Sequence, residues 1–184
     1  RQGNAMDNGT LSIFIDQTRT AFGPLTTERL VTLRAELERL TRAPASEPWL
    51  RALHEEAPAS KQLYRDRTHG FLLLAHSEPA GLYRPPHDHG RAWVIYALQR
   101  GAMEIGTYAR VQDGKGRVRL VQRDTTLLRA GDARVYLPGD IHDTRCTSGP
   151  SLLLRFTERD LGSEQEAPWV TRYVAGDGFW TVGT

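Results

Sequence analysis

The chain has 184 residues, of which 39% are hydrophobic and 25% are charged, and its formal net charge is +2; this balance fits one globular domain. No stretch approaches about 18 consecutive apolar residues and no block of roughly five basic residues occurs, so we expect neither a membrane span nor nucleic acid as a partner. The single cysteine, Cys146, excludes an internal disulfide and a cysteine-based zinc site, and without a recognisable secretory signal it favours a reducing, cytoplasmic location.

The first third of the chain has the periodicity of helices. Thr10 is the expected cap of a first helix, and Thr26 or Thr27 is the expected cap of a second. The second helix carries apolar residues at three- and four-residue spacing, namely Leu30, Leu33, Leu37 and Leu40. Ser46 is the expected N-cap of a third, short helix. Each helix has one apolar stripe, so we predict a helical extension over residues 1–60 that packs on a larger body.

The pattern changes from about Gln62 onward, where short apolar or alternating runs are separated by turn residues. The runs cover residues 71–75, 93–98, 103–111, 118–121, 125–128, 134–137, 152–156 and 170–174. Many short strands without a further helix are typical of an all-β sandwich or barrel. We therefore predict a single domain overall, with a β-barrel over residues 61–184 and the helices as its cap.

Metal chemistry is indicated by the histidines. His87 and His89 form an H-x-H pair, and residues two apart in a strand face the same side, so both imidazoles can bind one metal ion. The third ligand has to come from elsewhere, and His142 follows a Pro138-Gly139 turn at the start of a predicted strand. An isolated H-x-H is more often a surface pair, and here the flanking residues decide in favour of a metal site.

Those flanking residues carry a family resemblance. Gly81 stands before the H-x-H pair, and Gly131-Asp132 precedes Pro138-Gly139. The arrangement resembles the two sequence motifs of the cupin superfamily. The resemblance implies a double-stranded β-helix barrel, also called a jelly roll, with a metal at its mouth; the implied ligands are His87, His89 and His142. Cupins often pair through β-strands, so a homodimer is compatible with the resemblance.

Many cupins add a glutamate ligand shortly after the second histidine, where this chain has Trp93 and Val94. The predicted ligand set is therefore three neutral imidazoles without a carboxylate. Such a set leaves positions for an anionic substrate and for dioxygen, and it equally suits a hydrolytic zinc ion. By the usual order of affinities, three imidazoles bind Ni(II), Cu(II) or Zn(II) at least as tightly as Fe(II).

The H-D-H sequence, the three-histidine set and the helical cap together resemble the cysteine dioxygenase family of thiol dioxygenases. The resemblance implies mononuclear non-haem Fe(II), dioxygen, and oxidation of a small thiol to a sulfinate. Animal-type members have a crosslinked cysteine where this chain has Val94, and the family's Ser-x-His-x-Tyr strand is matched only at Ser151. These departures count against cysteine itself as the substrate and favour a divergent thiol dioxygenase or a relative that acts on another small acid.

Candidate substrate residues follow from the same resemblance, because family enzymes hold the substrate carboxylate with an arginine on an early strand. Arg65 or Arg67 has that place here, and Arg155, which replaces the strand tyrosine, is the alternative. Tyr96 shares the strand parity of Val94, so its hydroxyl either contacts substrate or only fills the barrel. Two other interpretations stay open: a carbon–carbon bond-cleaving cupin dioxygenase, and a non-catalytic cupin that binds a metal-chelated small molecule.

Overall fold

The computed structural model describes residues 9–161, 170–176 and 178–183. Three helices come first: α1 (Gly9–Ala21), α2 (Thr27–Thr41) and α3 (Pro48–Glu56). Nine strands follow: β1 (Lys61–Arg65), β2 (Leu72–Glu78), β3 (Tyr83–His87), β4 (Val94–Gln112), β5 (Val118–Arg129), β6 (Ala133–Tyr136), β7 (Ile141–Thr157), β8 (Tyr173–Gly176) and β9 (Phe179–Val182). Among these residues, none of the helices is long and apolar enough to cross a membrane.

Helix α2 begins as its sequence predicts. The Thr26 side chain accepts a hydrogen bond from the Arg29 backbone N–H over 3.2 Å, which satisfies one of the free donors at the start of the helix. Its leucine stripe is buried in the core that the helices share with the barrel; these residues are Leu30, Leu33, Leu37 and Leu40.

Two predicted helix caps are wrong, for different reasons. Thr10 lies inside α1, and the residue that precedes α3 is Glu47 rather than Ser46, because Pro48 takes the first helical position. The Glu47 carboxylate accepts from the Thr10 backbone N–H (3.1 Å), the Thr10 hydroxyl (2.6 Å) and the Trp49 indole N–H (2.7 Å). The start of α1 is therefore capped by a side chain distant in sequence.

The strands confirm the predicted fold class, which is mainly β and antiparallel with helices at the N-terminus. Seven strands form one sheet in the order β1-β2-β7-β4-β5, with β3 also paired to β7 and β6 to β4. The first half of β4 lies between β6 and the end of β7, and its second half lies between β5 and the start of β7. The long strands thus pair with each other along two stretches and enclose an interior.

Strand β4 joins two runs that the sequence predicts as separate strands. Gly101 lies between the runs with a φ of +85°, and a Cβ there would come within 2.6 Å of the Ser148 carbonyl oxygen. Only glycine fits this crossing of β4 over β7, so the strand continues through a bend where the pattern indicates a break.

The two faces of β4 pack in different hydrophobic cores, one shared with the helices and one inside the barrel. Trp93, just before the strand, and Ile95 are buried against the helices. Val94 and Tyr96 are buried in the barrel interior, as their shared parity predicts. A wall one strand thick therefore separates the helical core from the interior that holds the histidines.

Candidate metal centre and substrate cavity

The three histidines predicted as ligands lie together at one end of the barrel. His87 ends β3 and is paired across the sheet with His142 near the start of β7, and His89 follows two residues after β3. One potential ligand nitrogen from each residue lies within 4.8 Å of the others. The ring centroids are 5.0 Å apart for His87–His89, 4.7 Å for His87–His142 and 5.1 Å for His89–His142.

The surroundings of His87 and His142 leave a ring nitrogen of each available for metal binding. His87 Nδ1 lies 2.9 Å from the Pro85 carbonyl oxygen, and because this oxygen can only accept, Nδ1 carries the proton and Nε2 keeps its lone pair. His142 is fully buried, and its Nδ1 has no hydrogen-bond partner among the described residues. A buried ring nitrogen to which no described protein group hydrogen-bonds is chemically suited to coordinate a metal ion.

Burial holds all three imidazoles in the neutral form that a metal requires. It is the largest cause that lowers the pKa of His87, His89 and His142. Their mutual repulsion and the nearby Arg155 lower the pKa of His89 and His142 further. Near neutral pH the cluster therefore offers lone pairs rather than protons, and these three side chains fit a divalent metal ion.

Asp143 anchors the strand that presents His142. Its Oδ2 accepts hydrogen bonds from the hydroxyls of Tyr83 (2.7 Å) and Tyr108 (2.6 Å), and its Oδ1 accepts from the Gly106 backbone N–H (2.8 Å). These bonds link β3, β4 and β7 directly beside the ligand. The position of His142 is thereby fixed by residues from three strands.

A cavity of about 370 Å³ opens onto the histidine cluster. Its polar lining includes His87 and His89 and six further side chains: His76, Glu78, Arg84, Tyr96, Arg155 and Arg172. Among the described lining residues, three guanidinium groups and one carboxylate give this part of the cavity a net positive charge. Its size and charge suit a small anion.

Tyr96 contacts the cluster, as the parity of β4 allows. Its hydroxyl lies 3.2 Å from His142 Nε2 and 3.5 Å from His89 Nε2, and it also has a side-chain hydrogen bond with Arg155. Burial raises the pKa of this phenol, so the hydroxyl keeps its proton near neutral pH. Tyr96 therefore places one hydrogen-bond donor between the metal ligands and the cavity.

The three candidate arginines have different surroundings. Arg155 lines the cavity, and its Nε is buried without a hydrogen-bond partner in the described part of the chain. Arg65 forms an ion pair with Asp160, and Arg67 is exposed; neither lines the cavity. The structure thus brings Arg155, and not the arginines of the early strand, to the histidine cluster.

Sequence reasoning missed part of the cavity lining. Glu78 and Arg84 form an ion pair over 3.0 Å in its wall, and Arg172 reaches it through a β-bridge with His87. The signal for His76 and Glu78 was available, because they alternate along β2 with Ala75, which packs in the core shared with the helices. Nothing in the sequence near Arg172 places it beside a histidine that is so distant along the chain.

No protein-family model and no curated protein matches the chain. Among solved structures, KdgF from Halomonas sp. is similar over 55% of this chain and 78% of its own, at 22% identity and a TM-score of 0.43. A cupin superfamily protein from Desulfitobacterium hafniense is similar over 55% of this chain and 76% of its own, at 15% identity and a TM-score of 0.42. A recombinant oxalate oxidase solved with glycolate is matched over 54% of this chain and 50% of its own, at 20% identity and a TM-score of 0.40. The solved structures that are similar to this chain thus include a cupin superfamily protein.

Proposed function

We propose that the protein is a mononuclear non-haem iron dioxygenase that oxidises a small thiol acid to its sulfinate. The observation that carries the proposal is the buried, unpartnered Nε of Arg155 in a positively charged cavity that opens onto three neutral histidines. Arginine binds a carboxylate through paired hydrogen bonds, so a substrate acid group held there lies beside the metal ligands. The balanced reaction is RSH + O₂ → RSO₂⁻ + H⁺, with both oxygen atoms on sulfur.

Iron would supply the redox chemistry, and His87, His89 and His142 would hold it. The protein's own groups perform the remaining tasks. Arg155 binds and orients the carboxylate, and the Tyr96 hydroxyl donates a hydrogen bond to the negative oxygen that develops on the product. The apolar side chain of Leu153 lines the same cavity and limits water beside the reacting sulfur.

Oxygen consumption tests this proposal directly. The protein is loaded anaerobically with Fe(II) and supplied with a panel of thiol acids and with uncharged thiols of the same length. We expect oxygen uptake with the acids, and mass spectrometry with isotopically labelled dioxygen should find both labelled atoms in the product. Zn(II)-loaded protein is the matched control, because it retains the ligand geometry without the redox chemistry.

The alternative interpretations give different results in the same experiment. Incorporation of labelled oxygen only with β-dicarbonyl compounds would favour the carbon–carbon bond-cleaving enzyme. Tight binding of small acids without any oxygen uptake would favour a metal-dependent binding protein. Either result would replace the thiol dioxygenase proposal.

A further inference from the structure

One wall of the cavity presents two hydrogen-bond acceptors that no described residue satisfies. They are Glu78 Oε2 and His76 Nε2, both buried and both on residues that line the cavity. His76 and Glu78 are two residues apart on β2, so their side chains leave the same face of the strand about 6.6 Å apart. A donor group between them lies within reach of both atoms.

Glu78 is the more unusual of the two, because only 2% of its side chain is exposed. Its Oε1 accepts from Arg84 Nε over 3.0 Å, whereas its Oε2 has no partner. The Arg84 side chain is 49% exposed, so solvent screens much of the guanidinium charge. The buried carboxylate keeps a free lone pair, which is costly in a folded protein unless something that binds there donates to it.

His76 adds the second acceptor. Its Nδ1 lies 3.1 Å from the Ala59 carbonyl oxygen, so Nδ1 carries the proton and Nε2 has the lone pair. Burial, followed by the neighbouring Arg155, lowers the pKa of His76 to about 4. The ring is therefore neutral near pH 7 and acts as an acceptor towards the cavity.

We infer that Glu78 and His76 form a subsite for the ammonium group of a zwitterionic substrate, and that this group is held by the protein wall rather than by the metal. The inference rests on the proposed function, because it assigns the carboxylate of the same substrate to Arg155. Two acceptors require at least two donor hydrogens, which an ammonium group has and a hydroxyl lacks. A simple carboxylate has no donor hydrogen for either acceptor.

The arrangement of charges in the cavity supports this assignment. The one carboxylate among the described lining residues comes from β2, whereas Arg155 comes from the neighbouring strand β7. Arg155 is paired across the sheet with Leu74, and Glu78 is paired with Ser151, so the two charges lie four residues apart along the paired strands. His76 is paired with Leu153 midway between these positions, and Arg155 is close enough to lower its pKa, so the two acceptors and the guanidinium belong to one stretch of the wall.

Calorimetric titration of the Zn(II)-loaded protein tests the subsite without any turnover. The probes are alanine, β-alanine and propanoate, which share a carboxylate and differ in the presence or position of the ammonium group. We expect one of the two amino acids to bind at least about tenfold more tightly than propanoate. Glu78→Gln should abolish that preference, and Glu104→Gln, which changes an exposed glutamate of β4, should retain it.

The His142→Ala protein separates the subsite from metal coordination of the amine, because it lacks one of the three ligands. The subsite is supported if the amino acid still binds more tightly than propanoate to the His142→Ala protein but not to the Glu78→Gln protein. Equal binding of all three probes to the wild-type protein overturns it, as does a preference that survives Glu78→Gln. If thiol acids are oxidised but the preference is absent, only the subsite fails; if the preference is present without oxygen uptake, only the proposed activity fails.

Discussion

Two hydrogen bonds join Asp88 to Thr171, and the chain neighbours of both residues line the cavity. The Asp88 backbone N–H donates to the Thr171 carbonyl oxygen over 3.0 Å, and the Thr171 backbone N–H donates to Asp88 Oδ1 over 3.2 Å. The same Oδ1 accepts from the Gly90 backbone N–H over 2.9 Å. Asp88 lies between two candidate metal ligands, His87 and His89, so it fastens the segment that carries Arg172 to the loop that carries these histidines.

Replacing Asp88 by alanine should loosen that segment and weaken substrate binding. The substitution removes two accepted hydrogen bonds, each worth about 1–2 kcal/mol, and Arg172 loses its fixed position. We expect KM for an acid substrate to rise about tenfold while the affinity for metal changes less. Steady-state kinetics and a metal titration measure the two quantities separately. A loss of metal affinity larger than the rise in KM would show that Asp88 acts mainly on the ligands.

Removing any one ligand should abolish stoichiometric metal binding. His142→Ala is the most informative variant because His142 comes from a different part of the sequence than His87 and His89. The fold should persist, because barrel packing rather than metal holds a core of this size. Metal analysis and circular dichroism check both statements, with the exposed His69→Ala as the control. Full metal occupancy in His142→Ala would refute its assignment as a ligand.

Arg155→Ala should raise KM for acid substrates by about 10–150-fold, which corresponds to about 1.5–3 kcal/mol for a lost charged hydrogen bond. Uncharged thiols of the same length should show little change, since they make no contact with the guanidinium. Arg65→Ala is the matched control because its partner Asp160 and its position lie outside the cavity lining. If Arg155→Ala changes KM equally for acids and for uncharged thiols, the carboxylate is bound elsewhere.

Acid should destabilise the metal-free protein through its buried histidines. The pKa of His76 is lowered from 6.5 to about 4 in the folded chain, mainly by burial. Between these values the unfolded chain binds more protons, so the free energy of unfolding falls as pH decreases through this window. The three ligand histidines contribute with the same sign. Chemical denaturation at several pH values should show this slope, and His76→Gln should reduce it; an unchanged slope would mean that His76 titrates normally.

The sequence predicts the fold where one periodicity holds over several turns or strands. The leucine stripe of α2 and the alternation of Val94 and Tyr96 lead to the observed burial because each fixes which face is apolar. The strand break near Gly101 was predicted wrongly, since a glycine that permits a close crossing has the same appearance in sequence as one that ends a strand. The Ser46 cap failed because Pro48 takes the first position of α3, and the Thr10 cap failed because the capping carboxylate of α1 comes from the distant Glu47.

The residues of the candidate site also fall into two groups, those that the sequence predicts and those that it does not. His87, His89 and His142 could be predicted because their spacing and flanking turns form a pattern. Glu78 and Arg172 could not be assigned to the cavity, because their role depends on which strands meet around it. Long-range pairing of this kind leaves no local trace in a single sequence.

The one-strand wall formed by β4 has a practical consequence for engineering. Neighbouring positions belong to different compartments: Trp93 and Ile95 support the helices, whereas Val94 and Tyr96 shape the interior. A combinatorial library that varies only the even-numbered positions from 94 to 98 would explore new substrate specificities and leave the core that packs against the helices unchanged. A library at the odd-numbered positions could be screened for higher thermal stability. Substrate specificity and stability can therefore be evolved at separate positions of one strand.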